Sequence, residues 1–190
     1  HSGGRIQVVL TDTALYCANE GAPITADGAD TILRMGVSKK RSGQIGRFGV
    51  GIKSVLSIST APQFFSTSGS FGFDAQWSRV EIDRAVKDGQ QKRGEPTVGI
   101  AGDTPVLRLA RPLDWARECA ADAVLSDLSK WAATVVRLPL RENTADSLAG
   151  DIDRSATPSS SNREFPHLFL LFSPHVGQVV LEDRRLMPVL

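Results

Sequence analysis

Short β-rich runs joined by turn formers recur along this chain, with helical stretches between them. RIQVVL (5–10) and ALYCA (14–18) stand on either side of a turn that begins Thr11-Asp12. QFFST (63–67) and FGFDA (71–75) stand around Ser68-Gly69-Ser70. Two β-rich runs around a short polar turn predict a hairpin in each case. ATVVRLPL (133–140) predicts a central strand, because Val135, Val136, Leu138 and Leu140 suit a buried pleated surface. PVLRLARPL (105–113) reads as a strand bounded by Pro112, and HVGQVVLED (175–183) as another. Strands alternating with helices, but with hairpins present, predict a mixed sheet covered by helices on one face.

The helical segments follow from spacing and caps. Thr25 is placed to cap a helix starting near Ala26 and ending at Gly36. Residues 77–89 predict a short amphipathic helix stopped by Gly89, followed by a turn-rich connection over 88–105. Residues 114–131 predict one helix capped by Asp114, and 142–152 a short one. DRSATPSSSNRE (153–164) reads as a surface loop, followed by the strongly apolar FPHLFLLF (165–172).

Composition sets the outer limits. The 190 residues carry 22 Lys+Arg against 21 Asp+Glu, a net charge of +1, which gives no basic footprint for nucleic acid. Two cysteines, Cys17 and Cys119, are too few for a disulfide scaffold, and each reads as an inert thiol. No apolar run reaches the roughly 18 residues of a membrane span. His1, His167 and His175 lack metal-ligand spacing. The chain opens on His1 with neither an initiator Met nor a signal-peptide pattern, so it reads as a fragment of a longer, cytoplasmic protein.

The 17 glycines are unevenly placed, and several crowd into GQIGRFGVGIKS (43–54). From Phe48 to Ile58 the apolar spacing is helical, yet Gly49 and Gly51 each cost such a helix roughly 1 kcal/mol relative to Ala. Glycines just ahead of a helix allow a ligand close to the backbone and aim unpaired N–H groups at one volume, which suits phosphate. Lys39, Lys40, Arg41, Arg47 and Lys53 add positive charge nearby. Neither common phosphate-loop pattern is met, however, and the spacing alone is equally open to a structural loop with close helix packing.

The stretch LYCANEGAPITADGADTILRMGVSKKRSGQIGRFGVGIKSVLSIS (15–59) resembles the ATP-binding domain of the GHKL superfamily, which holds heat-shock chaperones, gyrase and sensor histidine kinases. It is most similar to the sacsin-like, chaperone-type domains of larger bacterial proteins. The resemblance implies a Bergerat fold: an α+β, two-layer α/β sandwich whose mixed, mostly antiparallel sheet is covered by helices on one face. Residues 1–190 would form one such domain, with an ATP lid over about 36–48. Asn19 stands where the family's adenine-binding Asp is expected, followed by Gly21, with Pro23 replacing the motif's second glycine. An Asn carbonyl can accept the same hydrogen bond from the adenine amino group. Ser38 and Lys39 resemble the start of the lid. Gly46, Arg47, Phe48, Gly49, Val50, Gly51 and Lys53 resemble its glycine-rich end and the following helix. There the backbone of residues 47–51 would contact the triphosphate, with Phe48 as an apolar anchor. Thr134 is the candidate for the family's base-contacting strand threonine.

In this superfamily a Glu that activates water and an Asn that helps hold Mg²⁺ lie on an N-terminal helix, which these residues do not include. The resemblance therefore implies binding of ATP or ADP with Mg²⁺, and hydrolysis only with that helix. The partner would be the rest of a larger polypeptide, or an N-terminal segment completing the fold. The alternative is a degenerate GHKL fold that does not hydrolyse ATP and serves as a protein-interaction or assembly module.

Overall fold

A computed structural model describes residues 3–33, 54–102, 109–156 and 175–185. The chain runs β1 (Gly4–Leu10), β2 (Ala14–Asn19), α1 (Ala26–Leu33), a 3₁₀ turn (Val55–Ser57), β3 (Gln63–Ser66), β4 (Phe71–Phe73) and α2 (Ala75–Lys92). It continues with β5 (Ala110–Pro112), α3 (Trp115–Ala121), α4 (Ala123–Ser129), β6 (Thr134–Pro139), α5 (Thr144–Ala156) and β7 (Val176–Asp183). The described strands form one seven-stranded sheet in the order β5-β4-β3-β6-β2-β1-β7. Neighbours pair antiparallel except β1 with β7, which are parallel. The result is a mixed-sheet α+β domain with helices packed against the sheet.

Both expected hairpins form, β1–β2 around Thr11 and β3–β4 around Gly69. Thr11 Oγ1 accepts from the Ala14 amide at 3.0 Å, so the threonine closes the first turn. Gly69 has φ +145°, a conformation that suits a residue without Cβ. β6 lies at the middle of the sheet, as its apolar sequence predicts.

Alternation along the strands divides the sheet into two faces. On one, Val9, Ala14, Tyr16, Ala18, Phe65 and Val135 pack with Leu125, Leu128 and Ala132 of the α4 region. Trp115, Cys119 and Trp131 cover this cluster's flank. Arg137 joins the same face because it pairs with Tyr16 on β2 and Gln63 on β3. Its guanidinium donates to Asp122 at 2.7 Å and to Glu118, and to Gln63 Oε1 at 2.5 Å. Tyr16 donates its hydroxyl to the same Asp122 oxygen at 2.8 Å. One residue, Asp122, thereby ties two strands to the helical layer.

Asp122 also explains a departure from the sequence reading. The helix expected over 114–131 is two helices, α3 and α4, that meet at Asp122. Its backbone is extended there, and its carboxylate caps α4 by accepting from the Leu125 amide at 2.9 Å. Burial works against ionisation of Asp122. The Leu125 amide, Arg137 and Tyr16 outweigh that and hold its carboxyl below the usual carboxylate range.

Two other helices run longer than the sequence suggested. α2 passes through Gly89 to Lys92, and the following Gly94 takes the positive φ (+68°) of a helix end. Residues 95–102 fold back along it, where Asp83 accepts from the Ile100 amide at 3.0 Å and Gln90 from the Val98 amide at 2.8 Å. α5 extends to Ala156, into the start of the expected serine-rich loop. Thr25 caps α1 as expected, with its Oγ1 3.0 Å from the Gly28 amide. The end of α1 at Gly36, most of the 48–58 helix, the start of the 105–113 strand and the apolar run 165–172 lie outside the described residues.

Candidate functional site

The sheet face opposite α3 and α4 carries Ile6, Val8 and Leu10 from β1, Leu15, Cys17 and Asn19 from β2, and Thr134, Val136 and Leu138 from β6. At the β3–β4 end this face is filled by aromatic packing. Phe64 stacks on Phe71 at 5.2 Å between ring centres and meets Phe73 edge-on at 6.0 Å. Toward β1 and β2 it is less covered, and Ile6, Val8, Cys17 and Val136 are only half-buried.

That gap is a cavity of about 400 Å³ whose lining includes Ile6, Cys17, Asn19, Gly21, Val136, His175 and Val176. Arg5 and Ala18 also touch it, but their side chains belong to the opposite face, where the Arg5 guanidinium lies 4.4 Å over the Trp131 ring. The walls are therefore mostly apolar, with Asn19 and His175 as the polar residues of that lining. Its volume falls within the range of small-molecule sites.

Asn19 ends β2 and Thr134 begins β6, and the two are direct register partners. Ser66 of β3 pairs with Thr134 from the other side. The Thr134 hydroxyl donates to Ser66 Oγ at 3.3 Å, which leaves the lone pairs of Thr134 as acceptors. Ser66 Oγ accepts from the Ile24 amide at 2.9 Å, so the turn that carries Gly21 and Pro23 is tied to the sheet. The Asn19 carbonyl accepts from the Ala133 amide at 3.0 Å.

Of the residues singled out in the sequence, Asn19 and Gly21 line the cavity, and Thr134 stands beside Asn19 without lining it. Ser38, Lys39, Gly46, Arg47, Phe48, Gly49, Val50, Gly51 and Lys53, with the lid over 36–48, lie outside the described residues. The sequence reading passed over Cys17 and Val136 as site residues. Both were recoverable, since each lies two positions from a candidate on the same strand and so shares its face. Among the described residues no group of three or more His, Cys, Asp or Glu side chains gathers to hold a metal ion. Among them, too, no helix is long and apolar enough to cross a membrane.

Burial pushes the Cys17 thiol up to about 11. Its alkylation by iodoacetamide at about pH 8 is expected to run on the order of a hundredfold slower than that of an ordinary thiol. The rate should climb about tenfold per pH unit until the thiol ionises; a flat profile would contradict the burial assigned to it.

In comparisons with known proteins, the sequence matches no family model and has no significant match among curated proteins.

Proposed function

We propose that this chain is a nucleotide-binding domain of the GHKL, Bergerat-fold type, which takes ATP on the sheet face that carries Asn19 and Thr134. The observation that carries this reading is that Asn19 and Thr134 are register partners across β2 and β6, with Asn19 and Gly21 lining the adjacent cavity. A purine needs a flat apolar slot with a polar group at its rim, and Ile6, Cys17 and Val136 supply the wall while Asn19 supplies the rim.

In this reading the glycine-rich segment 43–54, nearly all of it outside the described residues, would give its backbone N–H groups to the triphosphate, with Lys39 and Arg47 adding charge. Mg²⁺ would accompany the phosphates and neutralise part of their charge. Efficient hydrolysis would need a general base such as the Glu that the family resemblance places on an N-terminal helix. Closure of the lid around bound phosphates would then couple binding to a change of shape.

A second reading, a non-hydrolysing interaction or assembly module, is favoured by the half-buried apolar wall and by Pro23, which lacks the backbone N–H of the glycine it replaces. Calorimetric titration with ATP and a non-hydrolysable analogue, each with Mg²⁺, separates the two. The nucleotide reading expects saturable one-to-one binding of both ligands. Absence of binding to either would leave only the interaction module.

A further inference from the structure

We propose that Asn19 lets the base slot read both 6-amino and 6-oxo purines, so that GTP and ITP bind alongside ATP. This inference rests on the nucleotide reading above. The Asn19 side chain is half-buried at the end of β2, and among the described residues none is seen to hydrogen-bond its carboxamide. Its backbone is fixed by comparison. The Ala133 amide donates to the Asn19 carbonyl, and the next amide, of Glu20, donates to the Arg5 carbonyl, each at 3.0 Å. That frame presents, among the described residues, one amide with no hydrogen-bonded side-chain partner at the edge of an apolar slot. Gly21 keeps the space beside it open, since a methyl group at that position would come within 3.3 Å of Asn19 Nδ2.

A carboxamide holds an acceptor and a donor on one planar group. Turning it over exchanges the two at little cost when no internal hydrogen bond holds either orientation. In one orientation the Asn19 carbonyl accepts from the 6-amino group of adenine. In the other its N–H₂ donates to the 6-oxygen of guanine or hypoxanthine. A carboxylate at the same position is an acceptor only, and would meet that 6-oxygen lone pair to lone pair. The Thr134 hydroxyl is also a rotor, and its present donation to Ser66 is one of its available settings. Ile6, Cys17 and Val136 offer apolar surface to any purine and so do not choose among them.

Competition of ATP, GTP and ITP against a fluorescent ATP analogue, on the whole chain and on its Asn19→Asp variant, tests this. The unaltered protein is expected to bind all three within about tenfold of one another. Asn19→Asp is expected to shift the preference for ATP over GTP and ITP by about tenfold in favour of ATP, the usual scale for losing one base-edge contact. If the unaltered protein binds ATP but takes GTP and ITP a hundredfold or more weaker, the inference is wrong and the nucleotide reading stands. The same holds if a folded Asn19→Asp protein leaves the ratios unchanged. If that variant does not fold, the ratios of the unaltered protein decide alone. Failure of every nucleotide to bind, the fluorescent analogue included, overturns the nucleotide reading and the inference with it.

Discussion

Replacing Arg137 with Met is expected to lower the stability of the fold by about 3 kcal/mol, the lower part of the range for removing one member of a buried ion pair. The Arg137 and Asp122 side chains are 13% and 14% exposed, so water screens them little. Methionine fills much of the same volume but leaves the Asp122 and Glu118 carboxylates facing an apolar sheet, with Gln63 Oε1 lacking its donor. It also removes the guanidinium that lies 5.1 Å from the centre of the Phe65 ring. Glu118→Gln should cost far less, about 1 kcal/mol or below, because Glu118 is more exposed at 24% and contributes a single contact to Arg137.

The acid limb gives the same account an independent check. The Asp122 carboxyl is depressed in the folded state, so its contribution is complete above the unfolded value of about 3.9. That contribution is lost as pH falls through the lower folded value. In the Met variant the depression by Arg137 is absent. The stability gap between the two proteins should therefore narrow as pH drops below about 4, as read by urea midpoints at unchanged m. A gap under about 0.5 kcal/mol at neutral pH would remove Arg137 as the clamp between sheet and helices.

The second large effect is on affinity. Gly49→Val and Gly51→Val are each expected to weaken ATP binding by about tenfold or more, because a branched side chain would hold phosphate away from the backbone. Valine is also the better helix former, by roughly half a kcal/mol, so the variants should be no less stable than the unaltered protein. That combination separates the two uses of glycine. A loop that needs glycine only for a tight turn would lose stability and keep its affinity. Both positions lie outside the described residues, and the expectation rests on the sequence pattern.

Elements set by local chemistry were legible from the chain. Thr11-Asp12 and Ser68-Gly69-Ser70 announce their turns, Thr25 and Asp114 announce helix starts, and the apolar density of 135–140 announces the central strand. Asn19 and Thr134, by contrast, are singled out through the family resemblance alone, and their register pairing across β2 and β6 is a finding of the structure.

What escaped notice depended on partners distant in sequence. Asp122 sits in a run with uninterrupted helical composition, and nothing local marks it as a break. Its conformation is rewarded by Arg137, 15 residues on, and by Tyr16, 106 residues back. Glycine weakens helices, so the sequence points to a stop at Gly89. The effective stop is Gly94, just after the basic pair Lys92-Arg93, where a positive φ is required.

The central claim, a nucleotide seated against the Cys17 and Asn19 face, has a chemical footprint. Cys17 lines the cavity, whereas Cys119 lies on α3, packed against the core of the opposite face, and serves as an internal reference. Alkylation of both thiols should be followed at about pH 9 with and without saturating ATP and Mg²⁺. The account predicts that ATP slows modification of Cys17 by about tenfold or more and leaves Cys119 unchanged. A Cys17 rate that ATP does not alter, in protein that binds ATP by calorimetry, would place the nucleotide elsewhere and contradict the site described above.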